Sequence, residues 1–225
     1  MNKRIALIFG STGLVGNLLL AELIRSEIYS GIKIFVRQKS DISDPKVDEI
    51  IIDFSNLDSF SEQIKGDDLF ICIGTTIKKA GSVANMEKID RDLPVRLATI
   101  AQYNGVRKVA VVSSIGANSQ SGNYYLRIKG EMEEGIIKLG FKQTTIGRPS
   151  MLLGDRNETR TGEIVGKAVM RILKPLLIGK LRKYRAINGR DVARALISVL
   201  QTDSAITILE SDELQSIAEN NKNNR

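Results

Sequence analysis

Ile5-Ala6-Leu7-Ile8-Phe9 runs into Gly10-Ser11-Thr12-Gly13-Leu14-Val15-Gly16, and Leu18-Leu19-Leu20-Ala21 with Leu23-Ile24 follows in helical register. An apolar strand, a turn with a glycine at every third place and an apolar helix form the opening of a parallel βαβ unit. Gly10 suits the bend leaving the strand, Gly13 a close backbone approach to a ligand, and Gly16 a helix packed tightly on the sheet. Such a turn gathers the unpaired amides of a helix N-terminus at one point, which suits the pyrophosphate of a dinucleotide. The spacing Gly-x-x-Gly-x-x-Gly is loose by itself, and the strand before it and the helix after it give it meaning.

Composition agrees with one substantial α/β core: 225 residues, 42% hydrophobic. The absence of histidine removes Ser-His-Asp and Cys-His catalysis and most zinc sites, so proton transfer falls to Tyr, Lys, Asp or Glu and no metal site is expected. The single cysteine, Cys72, lies in the apolar run Leu69-Phe70-Ile71-Cys72-Ile73 and cannot form an internal disulfide, from which a reducing cytoplasm is expected. Met1-Asn2-Lys3-Arg4 followed by a short apolar run reads as the entry to a first strand and not as a signal peptide, and no stretch is long and apolar enough to span a membrane. The net charge of +7 gathers in the back half, at Lys167, Arg171, Lys174, Lys180, Arg182, Lys183, Arg185, Arg190 and Arg194. Few aromatic residues accompany it, which argues against nucleic acid.

Alternating apolar runs and helical patterns continue to the end, predicting a doubly wound, mainly parallel sheet with helices on both faces. Ile32-Lys33-Ile34-Phe35-Val36 is the second strand and ends at Arg37. An acid there would bond the 2′-hydroxyl of an adenosine ribose, whereas an arginine can hold a 2′-phosphate; Arg37, with Lys39, favours NADP(H) over NAD(H). The third strand, residues 49–54, brings Asp53 to the place of an adenine amino group, and Asp53 equally suits capping a helix from about Leu57. The fourth, residues 68–73, breaks at Gly74-Thr75-Thr76, which would run over the cofactor, and an exposed loop over residues 76–82 precedes a helix bearing Met86, Ile89, Leu93 and Leu97, kinked or restarted at Pro94. Strand five, residues 108–112, ends in Ser113-Ser114, and strand six, residues 142–148, stops at Pro149. Residues 150–160 read as a loop, 164–173 as a helix, Asn188-Gly189 as the opening of a last major helix, 205–209 as a short strand and 214–218 as a short helix.

The helix after strand five carries Tyr125 and Lys129, four apart and so on one face, where the ammonium can approach the phenol. A cation beside a phenol favours its ionised form and makes it a better acid or base near neutrality. The strand ending in Ser114 delivers that hydroxyl to the same sheet edge.

In this order, glycine turn, Ser, Tyr and Lys, the chain resembles the short-chain dehydrogenase/reductase superfamily. The motifs Cys72-Ile73-Gly74-Thr75-Thr76, Lys79-Ala80-Gly81, Asp90-Arg91-Asp92, Ser113-Ser114-x-Gly116-Ala117, Tyr125-Leu126-x-x-Lys129-Gly130-Glu131, Arg148-Pro149 and Asp155-Arg156-x-Glu158-x-Arg160 are similar to those of an atypical branch. That branch comprises the oxidoreductases similar to the Tat-interacting tumour-suppressor protein. The resemblance covers nearly the whole chain to about Arg160 and implies a Rossmann domain; that domain is expected over residues 1–219, with a substrate-covering part at 149–219, and the low-complexity tail at 220–225 is expected to fray. It implies NADPH bound by Gly10, Ser11, Thr12, Gly13, Leu14 and Val15 at the pyrophosphate, Arg37 at the 2′-phosphate, Asp53 and Phe54 at adenine, and Gly74 and Thr75 beside the ribose. Tyr125 would be the proton donor, Lys129 would tune it and hold the nicotinamide ribose, Ser114 (or its neighbour Ser113) would bond the substrate oxygen, and Arg148 would border nicotinamide and substrate. Typical members carry Asn-Ala-Gly after strand four, where this chain has Gly74-Thr75-Thr76.

The expected function is thus an NADPH-dependent oxidoreductase acting on a small carbonyl or alcohol substrate. The alternative is a non-catalytic NADP(H)-binding sensor or interaction protein. Residues 164–185, apolar with interspersed Lys and Arg, suit either a cover for the active site or contact with a membrane surface. Monomer and homodimer are both compatible with the chain.

Overall fold

The computed structural model describes residues 4–154, 177–202 and 204–223. Its strands are β1 (Arg4–Phe9), β2 (Tyr29–Val36), β3 (Val47–Ile51), β4 (Asp68–Ile71), β5 (Lys108–Val112), β6 (Gln143–Arg148), β7 (Leu152–Leu153), β8 (Ile187–Asn188) and β9 (Ile206–Glu210). Its helices are α1 (Leu14–Arg25), α2 (Ile77–Ala80), α3 (Val83–Glu87), α4 (Leu93–Tyr103), α5 (Tyr124–Lys138), α6 (Gly189–Val199) and α7 (Ser211–Asn223).

Along β1 the side chains divide by parity. Ala6 and Ile8 join one core, built with Leu19, Leu20 and Leu23 of α1 and Val192, Ala193 and Leu196 of α6. Leu7 and Phe9 join the other, built with Leu97, Ala98 and Ala101 of α4 and Met132 and Ile136 of α5. Both faces of the sheet are therefore covered, and each large side chain so buried contributes roughly 1.5–3 kcal/mol. The sheet order is β3-β2-β1-β4-β5-β6-β9, with every pairing parallel, the doubly wound Rossmann arrangement. The chain winds outward from β1 to β3, returns to β4 beside β1, and winds the other way to β9. The loops leaving β1 and β4 thus diverge, and this crevice is where open parallel sheets take ligands.

Several local expectations change. Residues 77–80, read as loop, form α2, because the Thr76 hydroxyl accepts from Lys79 N–H and Gly81 closes the turn at φ +78°. Part of the loop after Pro149 is β7, paired with β8. The last helix runs to Asn223, past the stop expected at Ala218 and into the segment expected to fray. At Pro94, where a kink or restart is expected, α3 passes into α4 through a π turn, Lys88–Asp92, in which Leu93 N–H donates to Lys88 O, five residues back. Proline has no N–H to offer the carbonyl four residues behind it, that of Asp90, and the widened turn lies over that gap. The helix expected at 164–173 and the motif from Asp155 to Arg160 lie outside the described residues. Of the stretch considered for a membrane surface, the described part is a 3-10 turn at Gly179–Tyr184, with Ile178, Leu181 and Tyr184 exposed and the Lys183 ammonium over the Tyr184 ring at 5.5 Å.

Candidate functional site

Gly10 leaves β1 at φ +87°, and a Cβ there would stand 2.7 Å from the Cys72 carbonyl, so the turn lies against the exit of β4 with no room for a side chain. At Gly16 a Cβ would come within 2.0 Å of Gly10 O, which brings α1 hard onto the turn. Gly13 N–H donates to Gly10 O at 3.0 Å and Asn17 N–H to Gly13 O at 2.8 Å. Gly13 occupies the N-cap of α1, so no side chain caps the helix, and its first turn holds no acidic residue. The Ser11 hydroxyl is buried and without a partner. Uncapped helix amides, an orphaned hydroxyl and a cradle that any Cβ would fill fit a phosphate group. Thr12 is exposed beside them, while the Val15 side chain packs into the core and leaves only its backbone to the site.

Arg37 and Lys39 stand exposed beyond β2, and Arg37 makes no ion pair with any described residue. Asp53 is exposed and folds back on Ser55, whose hydroxyl at 2.7 Å and N–H at 2.8 Å it accepts. The Ser55 hydroxyl, then the N–H, holds its carboxyl below the usual carboxylate range. It therefore caps a tight turn, and the following helix starts without a side-chain cap. Phe54 meets Phe9 edge-on at 6.4 Å, and Phe9 stacks on Phe35 at 4.4 Å. Cys72 packs against the α1 side of the core, and burial pushes its thiol up to about 12.

Two motifs far apart in the chain turn out to be mates. Asp90, fully buried in the π turn, accepts the Lys129 ammonium at 3.0 Å, and Lys129 is itself only 3% exposed. Next to them Arg91 pairs with Glu131 at 2.8 Å, so Asp90-Arg91 is matched to Lys129-x-Glu131 across the two helices. Both Asp90 oxygens also accept Thr75 N–H at 3.2 Å. A Cβ on Gly74 would lie 3.4 Å from Asp90 Oδ1 and 3.8 Å from Lys129 Nζ, which puts the pair at the exit of β4, two residues past the carbonyl that Gly10 abuts. Asp90 was not among the expected site residues. Its signal was present: buried Met86, Asp90, Pro94, Leu97, Ala98 and Ala101 form the apolar stripe of this helix, and an aspartate stands in it.

Tyr125 lies in the first turn of α5, where the Asn123 side chain accepts its N–H at 3.0 Å and that of Leu126 at 3.3 Å. Its ring is half-buried, and its hydroxyl bonds no described residue. The expected approach of the ammonium to this phenol is a matter of one helical turn; the group Lys129 bonds is Asp90. The β5–β6 ladder runs on past the strand end, with Ser113 N–H donating to Gly147 O at 2.7 Å and Ile115 N–H to Pro149 O at 3.0 Å. Parity then places Ser113 with Val109 and Val111, buried and with its hydroxyl unpartnered, and Ser114 on the other side, half-buried. Of the two hydroxyls, that of Ser114 is the more accessible. Arg148, expected to border nicotinamide and substrate, has its guanidinium bound by Glu133, with Nε at 3.0 Å, and has Glu210 at 3.8 Å. The Glu133 bond, more than the opposing effect of burial, pushes Arg148 above the usual arginine range, and the group ties β6 to α5.

Residues 10–203 match the model of a family described as NAD(P)H-binding. The chain is 33% identical to Protein HTATIP2 of Rattus norvegicus over 167 residues, 72% of this chain and 69% of that protein. It is 32% identical to the mitochondrial protein FMP52 of Candida glabrata, with all of both chains covered. Among solved structures it is similar to MoeE5 in complex with UDP-glucose and NAD, with a TM-score of 0.68 at 15% identity over 97% of this chain and 82% of that one. The oxidoreductase ylbE of Lactococcus lactis gives 0.66 at 17% identity over 96% and 95%. At such identities the structures speak for the fold alone. The relatives correct the expected cytoplasmic location, since the FMP52 proteins are named mitochondrial. A lone cysteine can form no internal disulfide in any compartment, so it never distinguished one reducing space from another.

Proposed function

The chain belongs to the NAD(P)H-binding family, as an atypical protein of the short-chain dehydrogenase/reductase type, and on that premise we propose that it is an NADPH-dependent reductase of a small carbonyl compound. The observation that carries this reading is the continuity of the site. The glycine turn abuts the Cys72 carbonyl, and Gly74, two residues on, abuts the buried Lys129 on the helix that carries Tyr125 in its first turn. Gly10, Ser11, Thr12, Gly13, Leu14 and Val15 would hold the pyrophosphate through backbone amides and hydroxyls. Arg37, paired with no described residue, would take the 2′-phosphate, with Asp53 and Phe54 bordering adenine and Gly74 and Thr75 the ribose. When bound, the reduced nicotinamide supplies a hydride to a carbonyl carbon. Tyr125 donates its hydroxyl proton to the carbonyl oxygen, and Ser114 donates a hydrogen bond to that oxygen and orients it. Lys129, one helical turn after Tyr125, would lend positive charge on the same helix face. The Arg148 guanidinium is left out of the ligand set because its carboxylates already occupy it.

Tyr125→Phe is expected to lower turnover of a carbonyl substrate about 10²- to 10⁴-fold, with NADPH affinity within about twofold of the parent. Unchanged turnover would reject Tyr125 as the acid. Tight NADPH binding with no oxidation across a broad carbonyl panel would favour a sensor. Arg37→Ala is expected to weaken NADPH about tenfold and leave NADH unchanged; an equal loss for both would reject the 2′-phosphate contact.

A further inference from the structure

Resting on that reading of the site, we propose that Asp90 is a positioning residue that holds Lys129 where a dinucleotide meets the reacting groups. An ammonium carries three donors, and Lys129 gives one of them to Asp90 and none to another described residue. Two remain for the hydroxyls of a nicotinamide-side ribose. Burying a charged amine beside β4 is costly without a counter-charge, and the carboxylate of Asp90 offsets that cost where a neutral acceptor would not. The same carboxylate grips Thr75 N–H with both oxygens, so the loop expected beside the ribose and the lysine expected on it are set by one group. The backbone is arranged for this: Asp90 sits at the centre of the π turn, a distortion often found at functional sites, and Arg91 with Glu131 adds a second tie between the same two segments. Gly74, exposed and without a side chain, is what covers the buried pair at this point: a Cβ there would stand 3.4 Å from Asp90 Oδ1 and 3.8 Å from Lys129 Nζ.

The test compares NADPH with adenosine 2′,5′-bisphosphate, which fills only the adenosine half, by calorimetric titration of the full chain. Asp90→Asn keeps shape and an acceptor but removes the charge. It is expected to weaken NADPH about tenfold while the bisphosphate stays within about twofold. Lys129→Met should do the same, and the double variant should bind NADPH no more weakly than the weaker single, because one residue acts through the other. Equal losses for both probes, an unchanged NADPH affinity or additive losses would overturn the positioning role and leave the nucleotide site standing. Failure of the unaltered chain to bind either probe would overturn the site reading, and the inference with it. If Asp90→Asn does not fold, Asp90→Ser, smaller and still able to accept, is read by the same criteria.

Discussion

β4 has a buried aspartate at each end, and the two are used differently. At its foot Asp68 accepts the Tyr29 hydroxyl at 2.5 Å and the Arg4 guanidinium, while Gln201 donates to the Tyr29 oxygen at 3.0 Å and receives Arg4 at 2.6 Å. Each member has its partner within the group, and nothing is left to offer a ligand. Burial, then the charge and hydrogen bond of Asp68, pushes the Tyr29 phenol far above the usual tyrosine range, and burial, outweighing the Tyr29 and Arg4 contacts, raises Asp68 itself. Beyond its head Asp90 holds Lys129 next to the exposed Gly74, and the phenol of Tyr125, one turn before Lys129, is half-buried with its hydroxyl unbonded to any described residue. A tyrosine and an aspartate near a cation are thus present at both ends. On the proposed reading a proton is exchanged only at the carboxyl end, where the phenol is half-buried and bonded to no described carboxylate.

The contrast can be broken most directly at the foot. Asp68→Ala strands Arg4 and Tyr29 and is expected to cost about 3–5 kcal/mol of stability in urea unfolding, with NADPH affinity retained. Loss of NADPH affinity without loss of stability would erase the distinction between the two ends. Tyr29→Phe removes one hydroxyl, which donates to Asp68 and accepts from Gln201, and is expected to cost about 1–3 kcal/mol, with no change in turnover. A pH series sharpens the point. The unfolded chain releases the Tyr29 proton near pH ~10 while the folded chain keeps it, so the unfolded state binds fewer protons above that pH and stability falls as pH rises, by up to about 1.4 kcal/mol per pH unit. In Tyr29→Phe the fall should be correspondingly shallower. The smallest effect is expected at the head: Asn123→Ala removes the cap of α5 for about 1 kcal/mol, and a drop in turnover larger than that stability loss explains would show that the cap also aims Tyr125.

The order of strands and the glycine turn could be read along the chain, because strand, turn and helix signals are local: apolar runs of four to six residues, a glycine where a Cβ has no room, an Asn before a helix. The same locality explains the misses. Thr76 capping a four-residue helix and β7 finding β8 depend on one hydroxyl and one neighbour that no period announces. Arg148 and Lys129 were legible as cations at the right sheet edge, but their partners, Glu133 and Asp90, lie fifteen and thirty-nine residues away. Residue order by itself therefore determined the sheet, the phosphate cradle and the candidate Tyr125, Lys129 and Ser114. Which charges are neutralised and which stay open to a ligand was decided only by tertiary structure, since pairing of buried charges depends on distances through space that sequence separation does not encode.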